Sequence, residues 1–488
     1  MATHTGQDRQ EPQHSQDLQH THHPDIAVGR LFCRSALLPE GWRSDVLLRW
    51  NADGDLIEAT PGSARGDAPL AAGPVIPGMP NLHSHAFQRA MAGLTETMGS
   101  PTDSFWSWRT LMYRFAQRLQ PQHLEAIARH LYIEMLKAGY TSVCEFHYLH
   151  HAPGGAGYDD PAELSLRVMQ AAQDAGLGMT LLPVLYQYGG FGAAAPLEHQ
   201  ARFISSPQWM LALRERLQKA LPENGMRRYG VAPHSLRAVD AAGLAALVDG
   251  LRSQPGGADA PIHIHIAEQT REVDDCLAWC GKRPVQLLLS QQELDARWCL
   301  VHATHMSDDE YRAVAQSGAV VGLCPTTEAN LGDGIIDAPR LLDDGANWGI
   351  GSDSNIAINL RSELRLLEYG QRLHHRRRNM LASQAQPAVA DRLFAQAVSG
   401  GALASGRRVA GIAAGQRADF VVLDAQDINL ADRAPEQLLS ALVFCEHEGN
   451  PVRDVYVGGR QVVSEGRHAL EEGARAAYRA TVSELLKD

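Results

Sequence analysis

Eight strand-like stretches alternate with helix-like stretches through the middle of the chain, and few folds accept that pattern. The strand candidates are 75–83, 141–149, 178–186, 227–235, 261–267, 298–304, 319–325 and 347–352. Between them lie stretches with helical periodicity, among them 124–139, 162–176 and 240–252. Eight strand-then-helix repeats over about 330 residues meet the demand of an α/β fold of the (β/α)8 TIM-type barrel class. A doubly wound open sheet is the competing arrangement, but the Gly-rich nucleotide fingerprint it often carries after its first strand is missing. A barrel makes a specific demand, that the chemistry gather at the C-terminal ends of the strands.

The flanks have a different texture. Residues 1–24 are polar and rich in Gln and His (His4, His14, His20, His22, His23), without the apolar core of a signal peptide, and predict a disordered tail. Residues 25–74 read as short strands and turns, with Asp45 to Trp50 and Leu56 to Glu58 flanking an Asn-Ala-Asp-Gly-Asp turn. The same texture returns over 419–423 and 454–463. One small β-sandwich domain built from both chain ends, 25–74 and 409–488, is therefore expected around a barrel over 75–408, with a helix closing the chain.

Composition excludes several classes of function. The net charge of −12 argues against nucleic acid or an anionic membrane as the main partner. No run of eighteen uncharged apolar residues is present, so no membrane span is expected. Seven scattered cysteines do not suggest a disulfide framework, and a reducing cytoplasm fits them best. Cys276 and Cys280, four apart, read as packing on a helix face. The basic run His374 to Arg378 reads as a solvated helix end.

The candidate chemistry falls where a barrel would put it. The first strand runs into His83-Ser84-His85, and period two turns both imidazoles to one side. Neutral imidazoles in such a pair suit a divalent metal. The fifth strand reads Ile262-His263-Ile264-His265-Ile266-Ala267-Glu268. His265, nearer the strand end, is the better ligand candidate, and His263 one layer deeper reads as a core or supporting residue. His302 ends the sixth strand and Asp353 follows the eighth. Three imidazoles and a carboxylate can hold one Zn2+ with a position left for water, whose pKa then falls from about 16 towards about 7. Glu268 and Asp353 are the carboxylates available for proton transfer, and His302 can orient the attacking oxygen or stabilise its charge.

Taken together, Pro77 to His85, His263 to Glu268, Val301-His302-Ala303-Thr304-His305 and Gly351 to Ser354 resemble the amidohydrolase superfamily in its single-metal aminohydrolase branch. The resemblance covers nearly the whole chain from about residue 28 and the two-ended sheet domain with it. His83 to Arg89, Phe105 to Arg109, Glu145 to His150 and Ala232 to Arg237 are further similar to the branch members that deiminate N-formimino-L-glutamate in histidine degradation. Carried over residue by residue, the resemblance implies His83, His85, His265 and Asp353 as ligands of one zinc per subunit. It implies Glu268, His302 and Asp353 in catalysis, and Gln88, Arg109, Tyr148, His234 and Arg237 against the substrate. The implied reaction yields N-formyl-L-glutamate and ammonia, and the family tendency is towards homodimers. A substrate with two carboxylates needs guanidinium forks, and Arg109 and Arg237 supply them. Formimino-aspartate, a nucleobase or triazine-like ring, and a non-catalytic metal-binding role are the competing readings.

Overall fold

A computed structural model describes Met1, residues 27–98 and residues 104–487, so the polar tail expected over 1–24 lies, past Met1, outside the described residues. β1 (Gly29–Leu38), β2 (Gly41–Trp50) and β3 (Leu56–Thr60) form an antiparallel meander, and β4 (Val75–Pro77) pairs in parallel with β1. The next strands are β5 (Met79–Ser84), β6 (Tyr140–His147), β7 (Gly178–Leu185), β8 (Arg227–Tyr229) and β9 (Ala232–Pro233). They are followed by β10 (Ile262–Ile266), β11 (Trp298–His302), β12 (Val320–Leu323) and β13 (Asn347–Ile350). The last four are β14 (Phe420–Leu423), β15 (Val452–Val457), β16 (Arg460–Ser464) and β17 (Arg467–His468).

Each of the eight expected stretches contains a strand of the parallel set. One sheet runs β5-β6-β7-β8 with β9 also on β7, and another runs β10-β11-β12-β13. Parallel bridges from Val231 to Ile262 and from Ser235 to His265 link the two sheets on one side. A third, from Ser84 to Asp353, links their far edges. Strands β5, β6, β7, β10, β11 and β12 are buried at every position, which explains their near-continuous apolar sequence. Period two still sorts their side chains. Trp298 and Leu300 join the large core packed with the helices, whereas Cys299 and Val301 join a small cluster with Leu82, Val320, Cys324 and Ala404.

Two expected strands are cut by the structure. The stretch 75–83 breaks at Gly78, and β4 leaves the parallel set to pair with β1 and β14. Pro77 and Pro80 have no N–H for a ladder, and a Cβ at Gly78 would lie 2.2 Å from the Thr141 side chain. The stretch 227–235 divides into β8 and β9 around Gly230 and Val231, and Val231 bridges to Ile262.

The helices between the strands start and stop on local chemistry. Helix Ala241–Arg252 is capped by the Asp240 carboxylate, which accepts from the Gly243 N–H at 2.7 Å. Helix Asp308–Ser317 opens with a reciprocal Ser307/Glu310 cap and carries Asp308, Asp309 and Glu310 in its first turn, favourable against the helix dipole. Helix Val389–Ser405 packs on β13 and β5 through Gly400 and Gly401. A Cβ at Gly400 would sit 1.8 Å from the Trp348 carbonyl oxygen. Gly400→Ala is therefore expected to destabilise the fold by about 3 kcal/mol through overpacking. A thermal melt that leaves the midpoint unchanged would contradict this packing.

Strands from both ends meet in one eight-stranded sheet, ordered β17-β16-β15-β14-β4-β1-β2-β3. Its own core holds Leu31, Val46, Leu48, Trp50, Phe420 and Val422, with the Phe420 and Tyr456 rings stacked at 4.6 Å. Cys276 is buried and Cys280 exposed on helix Thr270–Cys280, both free thiols with Sγ atoms 4.0 Å apart. The run His374 to Arg378 is exposed at the end of helix Leu360–His375, as expected of a solvated helix end. Among the described residues no helix is long and apolar enough to cross a membrane.

Candidate active site

Four side chains converge where the first and last strands of the parallel set meet. His83 Nε2 lies 3.1 Å from His85 Nε2 and 3.0 Å from His265 Nε2. Asp353 Oδ1 stands 3.4 Å from His83 Nε2 and 3.2 Å from His85 Nε2. The tautomers can be read from the far side of two rings. His85 Nδ1 donates to the Phe146 carbonyl at 3.0 Å, and His265 Nδ1 donates to the His234 carbonyl at 3.2 Å. Their Nε2 lone pairs therefore face the centre without a proton, and His83 Nδ1 has no hydrogen-bond partner. A single proton on His83 Nε2 can satisfy only one of these lone pairs, whereas a divalent cation satisfies all of them and the carboxylate together. These four buried residues can hold one metal ion.

The electrostatics agree with that use. Burial pushes His83 down to about 3 and His265 well below its ordinary value, keeping both imidazoles neutral as ligands must be. Burial alone would raise Asp353, but its close contacts with the His83 and His85 imidazoles hold it well below the usual carboxylate range. Glu268 shifts the other way, raised chiefly by burial against the opposing pull of His302 and Arg237. Burial opposes protonation of His302, but Glu268, Glu328 and Asp353 outweigh it and lift its pKa to about 10. His302 Nδ1 donates to Glu328 Oε1 at 3.2 Å. Its Nε2 lies 3.8 Å from Glu268 Oε1 and 3.7 Å from Asp353 Oδ2.

The backbone at these strand ends is unusual. Ala267, His302, Ala303, Asp353 and Asn355 all have left-handed conformations, with φ of 50°, 68°, 48°, 45° and 58°. Each costs about 1 kcal/mol for a residue with a Cβ, and such strain persists only where neighbours fix it. Asn355 is the main fastener. Its amide nitrogen donates to Ser84 Oγ at 3.2 Å, to the His85 carbonyl at 3.1 Å and to the Asp353 carbonyl at 3.0 Å. Its amide oxygen accepts from Ser352 Oγ at 2.6 Å.

Above this centre lies a pocket that gathers the expected substrate residues. Gln88, Arg109, Tyr148, His234 and Arg237 line it together with His85, His265, Glu268, His302 and Asp353. Gln88 Nε2 donates to the Tyr148 hydroxyl at 2.7 Å. His234 is neutral, its pKa lowered well below the ordinary value by burial and by Arg237. Arg237 reaches Glu268 at 3.7 Å and Glu272 at 3.9 Å, too long for hydrogen bonds, and its Nε has no hydrogen-bond partner. The remaining walls are mostly aromatic, from Phe105, Trp108, Tyr113 and Tyr186, with Met112 and Leu331.

His263 is not part of the centre. It turns to the Ala404 carbonyl at 2.8 Å and packs as a supporting residue, the role expected for the deeper histidine. Several residues in and around the site carry no sequence signal of their own. Glu145 accepts from the Ala86 N–H at 2.6 Å and from the Tyr132 hydroxyl at 3.2 Å, and burial raises it to about 7. Glu328 holds His302, Asp333 accepts from Gln269, and Asn355 ties the strand ends. Of these, Glu145 lies closest in sequence to an expected substrate residue, three positions before Tyr148.

The sequence profile of the amidohydrolase family matches residues 75–462. The formimidoylglutamate deiminase of Pseudomonas aeruginosa is 51% identical over 459 residues, covering 94% of this chain and 100% of that protein. The 8-oxoguanine deaminase of the same organism is 28% identical over 84% of this chain and 87% of its own length. A crystal structure of an amidohydrolase from Brucella melitensis superposes with a TM-score of 0.87 at 46% identity, covering 94% of this chain and all of that one. An adenosine deaminase from Xanthomonas campestris with bound zinc shares the fold at 19% identity, with a TM-score of 0.76, covering 95% of this chain and 99% of its own. From the profile match over most of its length and from these relatives, the chain belongs to the amidohydrolase family.

Proposed function

We propose that this chain is a zinc-dependent deiminase that hydrolyses N-formimino-L-glutamate to N-formyl-L-glutamate and ammonia. The observation that carries the reading is the pairing of a three-histidine, one-aspartate centre with two guanidinium groups in the same pocket. The 51% identity to a formimidoylglutamate deiminase supports the choice of substrate. The reading includes one zinc per subunit on His83, His85, His265 and Asp353, a place in histidine degradation, and a cytoplasmic homodimer. It also takes 75–408 as a closed barrel and 25–74 with 409–488 as a β-sandwich. The parallel bridges joining the two central sheets and the separate core of the end sheet support these domains.

When bound, the cation supplies Lewis acidity and brings water towards ionisation near neutral pH. The protein's own groups do the rest. Asp353, held ionised, takes the proton of the attacking water. Glu268, raised by burial, protonates the imine nitrogen as the water oxygen adds and is reloaded with the proton Asp353 took. The second proton comes from the added hydroxyl as the carbon–nitrogen bond breaks, the formyl C=O forms and ammonia leaves. Two carboxylates whose environments push their pKa values apart divide base and acid between them. His302 donates from Nε2 towards the oxygen that attacks the formimino carbon, its charge sustained by Glu328 behind it. Gln88, Tyr148 and His234 set the formimino group against these donors, and Arg109 and Arg237 take the carboxylates.

Ammonia release from N-formimino-L-glutamate, with formimino-aspartate and guanine alongside, tests the reading. The glutamate derivative is expected to exceed the aspartate derivative by about tenfold or more in kcat/KM, because a diacid one methylene shorter cannot reach both guanidiniums equally well. Guanine is expected to give no ammonia. A zinc-loaded enzyme that is inert towards all three refutes the assignment.

A further inference from the structure

We propose that Trp106 is a positioning residue whose indole holds Arg109 and Arg237 as a paired receptor for the two substrate carboxylates. The proposal rests on the deiminase reading and adds a residue to it. Trp106 has three guanidinium groups around its ring. The Cζ atoms of Arg271, Arg109 and Arg237 lie 4.8, 4.9 and 5.6 Å from the ring centroid. Each distance is within the range of cation–π attraction.

The three cations need such a partner. Among the described residues no carboxylate lies within ion-pair distance of Arg109. Arg237 has only the long contacts to Glu268 and Glu272, and Arg271 only a 3.6 Å contact to exposed Asp275. Three like charges gathered at one mouth repel one another. The carboxylates opposite them, Glu268, Glu272 and Asp275, stand at 3.6 Å or more and, among the described residues, leave Arg109 without one. The negative face of an indole attracts cations without forming an ion pair. It can therefore hold the guanidiniums near one another while leaving their N–H forks free for carboxylates. An acidic residue in its place would consume the forks and compete with the substrate.

The ring itself is held in place. Phe105 is buried and meets Trp106 edge-on at 5.2 Å, and it stacks on Trp108 at 6.1 Å. Both belong to the first turn of helix Phe105–Ala116, which starts where the Ser107 hydroxyl accepts from the Ser104 N–H at 3.0 Å. Trp106 is not among the residues lining the pocket, so its effect passes through the arginines.

The test uses the zinc-loaded full chain with Trp106→Leu, Trp106→Gln and Trp106→Phe. Steady-state ammonia release gives KM and kcat, and calorimetric titration with glutarate, a diacid without the formimino group, gives binding apart from turnover. Leu and Gln, which lack a π face, are expected to raise KM and the glutarate Kd by about tenfold with kcat within about threefold of the parent. Phe is expected to restore most of both. Unchanged KM and glutarate affinity in the Leu and Gln variants would overturn the proposal. So would a fall in kcat and thermal stability with KM unmoved, which is the signature of packing alone. A parent that releases no ammonia refutes the deiminase reading, and the glutarate titrations still decide on Trp106.

Discussion

Glu268→Gln is expected to keep the metal and lose about 10³-fold in kcat, the scale of a lost general acid. Glutamine preserves the volume and hydrogen-bonding reach of the side chain but cannot carry a proton to the imine nitrogen. Glu268 is not among the four residues that converge on the metal position, so the ion should remain bound. Glu268 faces His302 and Arg237 as an anion only after it has given up its proton, and glutamine never does. Arg237 should then bind carboxylate at least as well, leaving KM unchanged or lower. Elemental analysis of the purified variant, with ammonia release measured across a range of substrate concentrations, checks both halves. Full turnover with metal retained would remove Glu268 from the mechanism.

Asp353→Asn should do more damage and of another kind. The side chain keeps its shape, but the only carboxylate among the four candidate ligands loses its charge. Asp353 also faces His302 at 3.7 Å, so the amide removes part of what keeps that imidazole protonated. Weaker metal binding, a missing base and a less charged His302 act on one step. Their combined effect is expected to be about 10⁴-fold or more in kcat/KM. Metal content at stoichiometric zinc should fall well below one per chain and recover in part with excess zinc. If zinc fully restored turnover, Asp353 would be a ligand with no part in moving the proton.

The parts of the site that could be read from sequence are those where chemistry coincides with strand periodicity. His83 and His85 alternate along β5, and His265 does the same along β10 between isoleucines. Asp353 and His302 stand where apolar runs end. The supporting groups were not legible because nothing local marks them. Glu328 reaches His302 from a short helix, Pro325–Leu331, and Asn355 gains its role only when strands far apart in sequence become neighbours. Trp106 reads as one more apolar residue on an amphipathic helix until Arg237 and Arg271, from other elements, join Arg109 of its own helix around it. The fold was legible in its alternation and in its two-ended sheet, but the break at Gly78 was not. Pro77 and Pro80 are visible in the sequence, but the close approach of Thr141 that keeps position 78 a glycine is recorded by no periodicity.

The hydrogen bond from Asn355 to the His85 carbonyl closes a loop of 270 residues. Closing a loop of that length costs chain entropy before any local contact repays it. The ion position lies at this closure, with His83 and His85 on one side and Asp353 on the other. No early fragment of a growing or refolding chain contains the complete ligand set. An ion bound by these candidate ligands would therefore reward only the assembled chain, and its affinity would add directly to the stability of that state by mass action. On the proposed function, metal supply is therefore expected to determine how long the assembled chain survives, apart from whether it turns over substrate.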